Sequence, residues 1–229
     1  MKMEKEKRNF ARRYKKEYHI FRSIFYMCFL WTVVNFVNYF MYRIKIVGRE
    51  NIPKKGNVIF AANHVSEMDP PFLATAVNKH VAFMAKKELF GDDKRSWLIK
   101  RLGAFAVDRE KPEMATFKTV RDIFETNWPL GIFPQGGTVK NKKIENIRKG
   151  FVVIAKHAKA DIVPVSICGF DGYAKKLFEK NIKIVIGKPI SYKLDTDEII
   201  QQWCAEICKN TGFENLMIKK SEETSEVVS

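Results

Sequence analysis

Cysteine is scarce in this chain, with four in 229 residues, at Cys28, Cys168, Cys204 and Cys208. They are too dispersed to frame a disulfide scaffold, and only Cys204 and Cys208, four apart, can share one helix face. No histidine or second cysteine pair stands beside them at zinc-ligand spacing, so the pattern predicts free thiols in a reducing compartment and no metal site. Acid is short as well. Lys and Arg number 41 against 26 Asp and Glu, a formal net charge of +15, which suits anionic lipid surfaces, phosphate-bearing ligands or nucleic acid. Motifs that interleave aromatic and basic residues for nucleic-acid recognition are missing, so no nucleic-acid partner is expected. Internal repeats are absent too.

Between Ser23 and Tyr42 (SIFYMCFLWTVVNFVNYFMY) there is no charge at all. The run is long enough to cross a bilayer as a helix. Yet Thr32, Asn35 and Asn38 interrupt it, and its Phe, Tyr and Trp residues favour the membrane–water interface over the hydrocarbon centre. A secretory signal peptide fits poorly, because the apolar run is too long and no small-residue cleavage site follows it. Residues 1–22 carry nine Lys/Arg against three Glu, and the positive-inside rule keeps such an arm in the cytosol. One crossing would then export the Lys-rich remainder. The sequence therefore predicts a helix lying in the cytoplasmic leaflet, and a membrane-associated protein on the cytoplasmic face.

After Tyr42 strands and helices alternate. Arg43–Val47, Asn57–Ala62, Val81–Ala85, Phe105–Val107, Leu130–Phe133, Ile162–Ile167 and Ile182–Ile186 have strand texture. Lys94–Leu102, Met114–Asn127, Gly150–Lys159 and Thr196–Thr211 have the apolar spacing of helices. This is the pattern of an α/β fold, a mixed, largely parallel sheet flanked by helices, preceded here by the interfacial helix. The expected division is a basic arm and apolar segment at 1–46, a principal domain at 47–212, and a frayed tail at 213–229.

Ala61–Pro71, A-A-N-H-V-S-E-M-D-P-P, puts a histidine and an aspartate five apart between a buried strand and a helix start. Loops at strand ends are where α/β proteins place reacting groups. An imidazole can take a proton from an alcohol near neutral pH, and a carboxylate on its other nitrogen fixes the tautomer. His64 and Asp69 thus form the base-and-orienter half of a Ser-His-Asp arrangement, with a substrate hydroxyl in place of the serine. The competing account makes Asp69, before Pro70, an ordinary helix N-cap.

These residues resemble the H-x4-D motif of the glycerolipid acyltransferases, in particular the bacterial 1-acylglycerol-3-phosphate acyltransferases. Further blocks follow in that family's order: A-K-K-E-L at Ala85–Leu89, G-A-F-A-V-D-R at Gly103–Arg109, F-P-Q-G at Phe133–Gly136 and I-V-P-V at Ile162–Val165. The resemblance runs from about Val47 to Ile190. It implies transfer of a fatty acyl group from acyl-acyl carrier protein or acyl-coenzyme A, as co-substrate with no bound cofactor, to the free hydroxyl of 1-acylglycerol-3-phosphate in phospholipid biosynthesis. It also implies that His64 is the general base and Asp69 its orienter. Lys86 and Arg109 would contact the acceptor phosphate, while Asn63, Gln135 and Gly136 would line the substrate site.

The third block departs from the family. F-P-E-G-T-R-S is usual there, whereas this chain has Gln135 for the Glu and Thr138 for the Arg. A phosphate ligand is thereby lost, with Lys140, Lys142, Lys143 and Arg148 nearby as substitutes. The alternatives left open are acylation of glycerol-3-phosphate or another lysolipid, or a non-catalytic lipid-binding relative.

Overall fold

Along the uncharged stretch the buried residues recur every fourth position, at Tyr26, Leu30, Asn38 and Tyr42, with Val34 partly buried between them. On an ideal α-helix each step of four overshoots a turn by about 40°, so such a stripe would wander off the protein. The helix compensates by widening: α1 (Ile20–Phe29) passes through a π-helical turn at Leu30–Val34 into α2 (Asn35–Tyr42). The longer i→i+5 turn keeps the stripe facing inward. Asn35 and Asn38, which interrupt the apolar run, point at the protein: Asn38 Nδ2 donates to Thr75 Oγ1 (2.8 Å), and Thr75 Oγ1 donates to Asn35 Oδ1 (3.1 Å). Among the described residues no helix is long and apolar enough to cross a membrane. The computed structural model describes residues 12–91, 93–107, 114–170 and 181–217.

The chain continues through β1 (Lys45–Val47), β2 (Asn57–Ala62), α3 (Asp69–Val77), β3 (Ala82–Lys86), α4 (Asp93–Arg101), β4 (Phe105–Val107), α5 (Met114–Phe124) and β5 (Leu130–Ile132). It then forms β6 (Lys143–Ile144), α6 (Gly150–Ala158), β7 (Ala160–Cys168), β8 (Lys183–Ile186), α7 (Thr196–Thr211) and β9 (Glu214–Asn215). Seven strands make one sheet in the order β1-β8-β7-β2-β5-β3-β4. Every pairing in it is parallel except β7 with β8. The α/β fold with a mostly parallel sheet between helices is therefore as expected.

β2 is central because it is apolar without interruption, as a strand covered on both faces must be. Its side chains alternate between the two cores, Ile59 and Ala61 on one face and Val58, Phe60 and Ala62 on the other. Trp203 of α7 braces its end, donating Nε1–H to the Ala61 carbonyl at 2.9 Å. One pairing has no counterpart in the sequence pattern. The start of the expected tail, residues 213–217, is packed: β9 pairs in parallel with β6, and Phe213 and Met217 lie against the core.

Candidate active site

Parallel neighbours end together, and that register builds the site. Ala61 on β2 stands opposite Ile132 on β5, so Asn63-His64 and Phe133–Gly136 leave the sheet side by side at its carboxyl end. His64 Nδ1 lies 2.7 Å from Asp69 Oδ2. The same oxygen accepts the backbone N–H groups of Val65 (2.6 Å) and Ser66 (2.8 Å). Asp69 is the first residue of α3, its side chain fully buried, and Met68 rather than Asp69 is the N-cap. The N-cap account of Asp69 is thereby overturned: the carboxylate turns back into the loop and holds the imidazole. Three nitrogens thus converge on one carboxylate oxygen, which fixes the side chain against the ring.

The His64 ring stacks on Phe133, with centroids 4.2 Å apart. Its backbone is held on both sides by the 134–139 loop: His64 N–H donates to Gln135 Oε1 (2.7 Å), and the His64 carbonyl accepts Val139 N–H (2.8 Å). The side chain is 14% exposed, and with Nδ1 engaged the nitrogen left to meet a ligand is Nε2. An imidazole locked in this way can accept a proton from an approaching hydroxyl.

The other expected residues are placed differently. Asn63 is not on a substrate surface. It is fully buried, donating Nδ2–H to the Ile167 carbonyl (3.0 Å) and accepting Ile167 N–H at Oδ1 (2.7 Å), so both amide atoms bind β7. Gln135 is turned onto the His64 backbone, and its Nε2 is buried without a hydrogen-bond partner. Gly136 has φ +72°, and a Cβ there would stand 2.7 Å from Arg148 Nε. Lys86 is exposed at the carboxyl end of β3, in register with Val107. Arg109 lies outside the described residues.

Arg148, offered by the sequence only as one of four substitutes, is drawn in by a backbone bond from its N–H to the Pro134 carbonyl (3.0 Å). Its side chain and Gly136 border an apolar cavity of about 180 Å³ whose walls include Met84, Phe117, Ile132, Phe133 and Phe151. Phe133 therefore touches both the imidazole and the cavity, a double contact that its place in the F-P-Q-G block did not specify. Among the described residues no three His, Cys, Asp or Glu side chains cluster where a metal could bind. Burial raises the pKa of the Cys168 and Cys208 thiols and pushes Cys204 up to about 12, so these three stay protonated and are poor ligands or nucleophiles near neutral pH.

A carboxylate-steered imidazole thus stands at the carboxyl end of a parallel sheet, stacked on Phe133, which with Arg148 also lines an apolar cavity. Residues 43–168 match the Acyltransferase family, over half of the chain, and the protein belongs to that family. It is similar to the 1-acyl-sn-glycerol-3-phosphate acyltransferase of Bacillus subtilis strain 168, 32% identical over 149 residues that cover 64% of this chain and 73% of that one. Its likeness to the enzyme of the same description in Streptococcus pneumoniae is 33% identity over 62% of this chain and 53% of the relative, so the chain spans only about half of that protein. In fold it is similar to the 1-acyl-sn-glycerophosphate (LPA) acyltransferase PlsC of Thermotoga maritima, with a TM-score of 0.61, 24% identity, and coverage of 81% of this chain and 76% of the other.

Proposed function

We propose that this acyltransferase esterifies the free hydroxyl of 1-acylglycerol-3-phosphate with a fatty acyl group taken from acyl-acyl carrier protein or acyl-coenzyme A. One observation carries the reading: the 2.7 Å contact between His64 Nδ1 and Asp69, which leaves Nε2 for the substrate. Nε2 takes the hydroxyl proton as the oxygen attacks the thioester carbon. The C–O bond forms, the tetrahedral intermediate collapses, the C–S bond breaks, and the proton passes from the imidazolium to the departing thiolate. Asp69 stabilises the imidazolium throughout.

The acceptor's phosphate calls for charge-assisted donors. Lys86 at the end of β3 and Arg109 are the residues that the family resemblance assigns. Arg148, lying over Gly136, supplies the guanidinium that Thr138 does not. Gln135 and Gly136 shape the site by fixing His64 and admitting Arg148.

The substrate resides in a membrane, and α1–α2 offer it a platform. Phe21 (75% exposed), Trp31 (62%) and Tyr39 (68%) stand on the outer side with Ile20, Ile24 and Phe36. An aromatic and aliphatic stripe opposite a docked face is suited to lie in the interfacial plane of the cytoplasmic leaflet.

A panel of lysolipid acceptors with one labelled acyl thioester tests the reaction. His64→Ala abolishes transfer. Asp69→Asn lowers kcat by roughly 10³- to 10⁴-fold, because an amide holds the wrong tautomer. Undiminished turnover in His64→Ala, or no product from wild-type protein with either donor, would defeat the proposal.

A further inference from the structure

A second cleft, of about 340 Å³, opens where α1 begins, between His19, Phe21, Arg22 and Phe25 on one side and Arg101 on the other. It is built by a lock between distant segments. Tyr18 donates its buried hydroxyl to the Gly103 carbonyl (3.2 Å) and packs edge-on against Trp128. Trp128 in turn donates Nε1–H to Ser23 Oγ (3.0 Å). Only glycine fits at 103, where φ is +79° and a Cβ would meet the Trp128 ring. The lock sets Arg22, four residues after Tyr18, beside Arg101, two residues before Gly103.

Two guanidinium groups facing one cleft repel, and Arg101 is among the charges that lower the Arg22 pKa, after its desolvation by burial. Arg22 Nη1 is buried with no hydrogen-bond partner. Glu17, the acid acting most strongly on Arg22, already binds Arg13 Nη1 at 2.8 Å and Tyr14 N–H at 3.0 Å. Arg101 stacks on the exposed Trp97 at 5.4 Å and has no carboxylate partner among the described residues. His19 Nδ1 accepts the Arg22 N–H (3.4 Å), which leaves Nε2 as the donor end of the ring. The cleft is thus a set of underused donors around a concave, electropositive space, with exposed Phe21 at its lip.

We infer that this cleft binds the phosphate of an anionic membrane phospholipid, at a place separate from the acyl-transfer site. Guanidinium forks match phosphate oxygens in pairs. A phosphate there relieves the Arg22–Arg101 repulsion and gives Nη1 its missing acceptor. Lipid is favoured over a phosphate free in solution because the cleft opens at the start of the exposed stripe, where headgroups lie if α1–α2 rest in the interface. The inference rests on that proposed orientation. The cleft adjoins the amino end of β4, whereas His64 lies at the carboxyl ends of the strands, so the bound lipid is an anchor and not the acceptor.

The test is co-sedimentation of the full chain with vesicles of phosphatidylcholine alone and with vesicles containing phosphatidylglycerol. Wild-type protein prefers the latter by roughly tenfold, and the preference persists at salt concentrations that screen diffuse attraction. In Arg22→Lys/Arg101→Lys the charge is kept and the forks are lost. Most of the preference disappears, while binding to phosphatidylcholine, thermal stability and acyl transfer in detergent stay at wild-type levels. Full preference in that variant, or its erasure by moderate salt in the wild type, overturns the site in favour of diffuse charge. Loss of the preference to inorganic phosphate at matched ionic strength overturns lipid as the ligand. Failure to bind either vesicle removes the interfacial helix as well, which separates the two ideas.

Discussion

Gln135 Oε1 accepts the backbone N–H of His64 at 2.7 Å, so the residue that departs from the family's usual glutamate is bonded to the proposed base itself. The bond needs an acceptor at that position, not a charge.

Gln135→Leu therefore strands the His64 N–H, at a cost of about 1–3 kcal/mol. The expected result is a lower melting temperature and a reduced kcat with little change in acceptor KM. Gln135→Glu keeps an acceptor there and should retain most of the kcat that the leucine variant loses. A leucine variant with wild-type kcat would show that this bond does not position the ring.

Gly136 and Arg148 make a paired prediction. Alanine at 136 must hold a left-handed backbone, about 1–2 kcal/mol unfavourable, and its Cβ displaces the Arg148 side chain. Acceptor KM should rise about tenfold, the equivalent of some 1.4 kcal/mol, with a smaller fall in kcat. Arg148→Ala should reproduce the KM change, and the double variant should be no worse than either alone. Additive effects would mean that Arg148 does not act through its contact with Gly136.

Acid should loosen the region around His80. Burial lowers the pKa of its imidazole below the ordinary 6.5, while a backbone hydrogen bond at Asn127 opposes the shift and Lys79 adds to it. Below pH 6.5 the unfolded chain takes up a proton that the folded chain resists, so this contribution to stability is complete above 6.5 and is lost as pH falls toward the depressed folded value. Denaturant titrations at pH 7.5 and 5.5 should show a larger loss in wild type than in His80→Gln. Equal losses would remove His80 as a source.

Helix docking can be read by a cycle on Asn38 and Thr75. Asn38→Leu or Thr75→Val alone leaves a polar partner unmatched and costs about 1–3 kcal/mol, whereas the double change costs less than the sum of the two, since only Asn35 Oδ1 is then left without its donor. Simple additivity in unfolding free energies would show that the 2.8 Å bond does not hold the helix.

Local pattern made much of the fold legible. α7 runs over Thr196–Thr211 as predicted because both ends are encoded nearby, with the Asp195 side chain capping Asp197 N–H and Gly212 taking φ +73°. β2 was readable from its unbroken apolar run. The proximity of His64 and Asp69 was legible in their spacing, but the direction of the carboxylate was not, because Pro70 gives the same signal for a capping aspartate. Asn63 misled for a different reason: its partner, Ile167, is 104 residues away. Arg148 and the β6–β9 pair likewise depend on long-range closure, and two-residue strands have no periodicity to detect. The π turn could not be foreseen from charge or hydropathy, since it corrects a helical phase that only the docked face defines.

Thr75, which anchors the outer helix, and Asp69, which steers the imidazole, belong to the same nine-residue α3, six positions or about 9 Å apart. Whatever plane the outer helix rests on is thereby at a set altitude from His64. Should that plane be a membrane surface, as proposed, a lipid hydroxyl would have to reach that height to meet the imidazole.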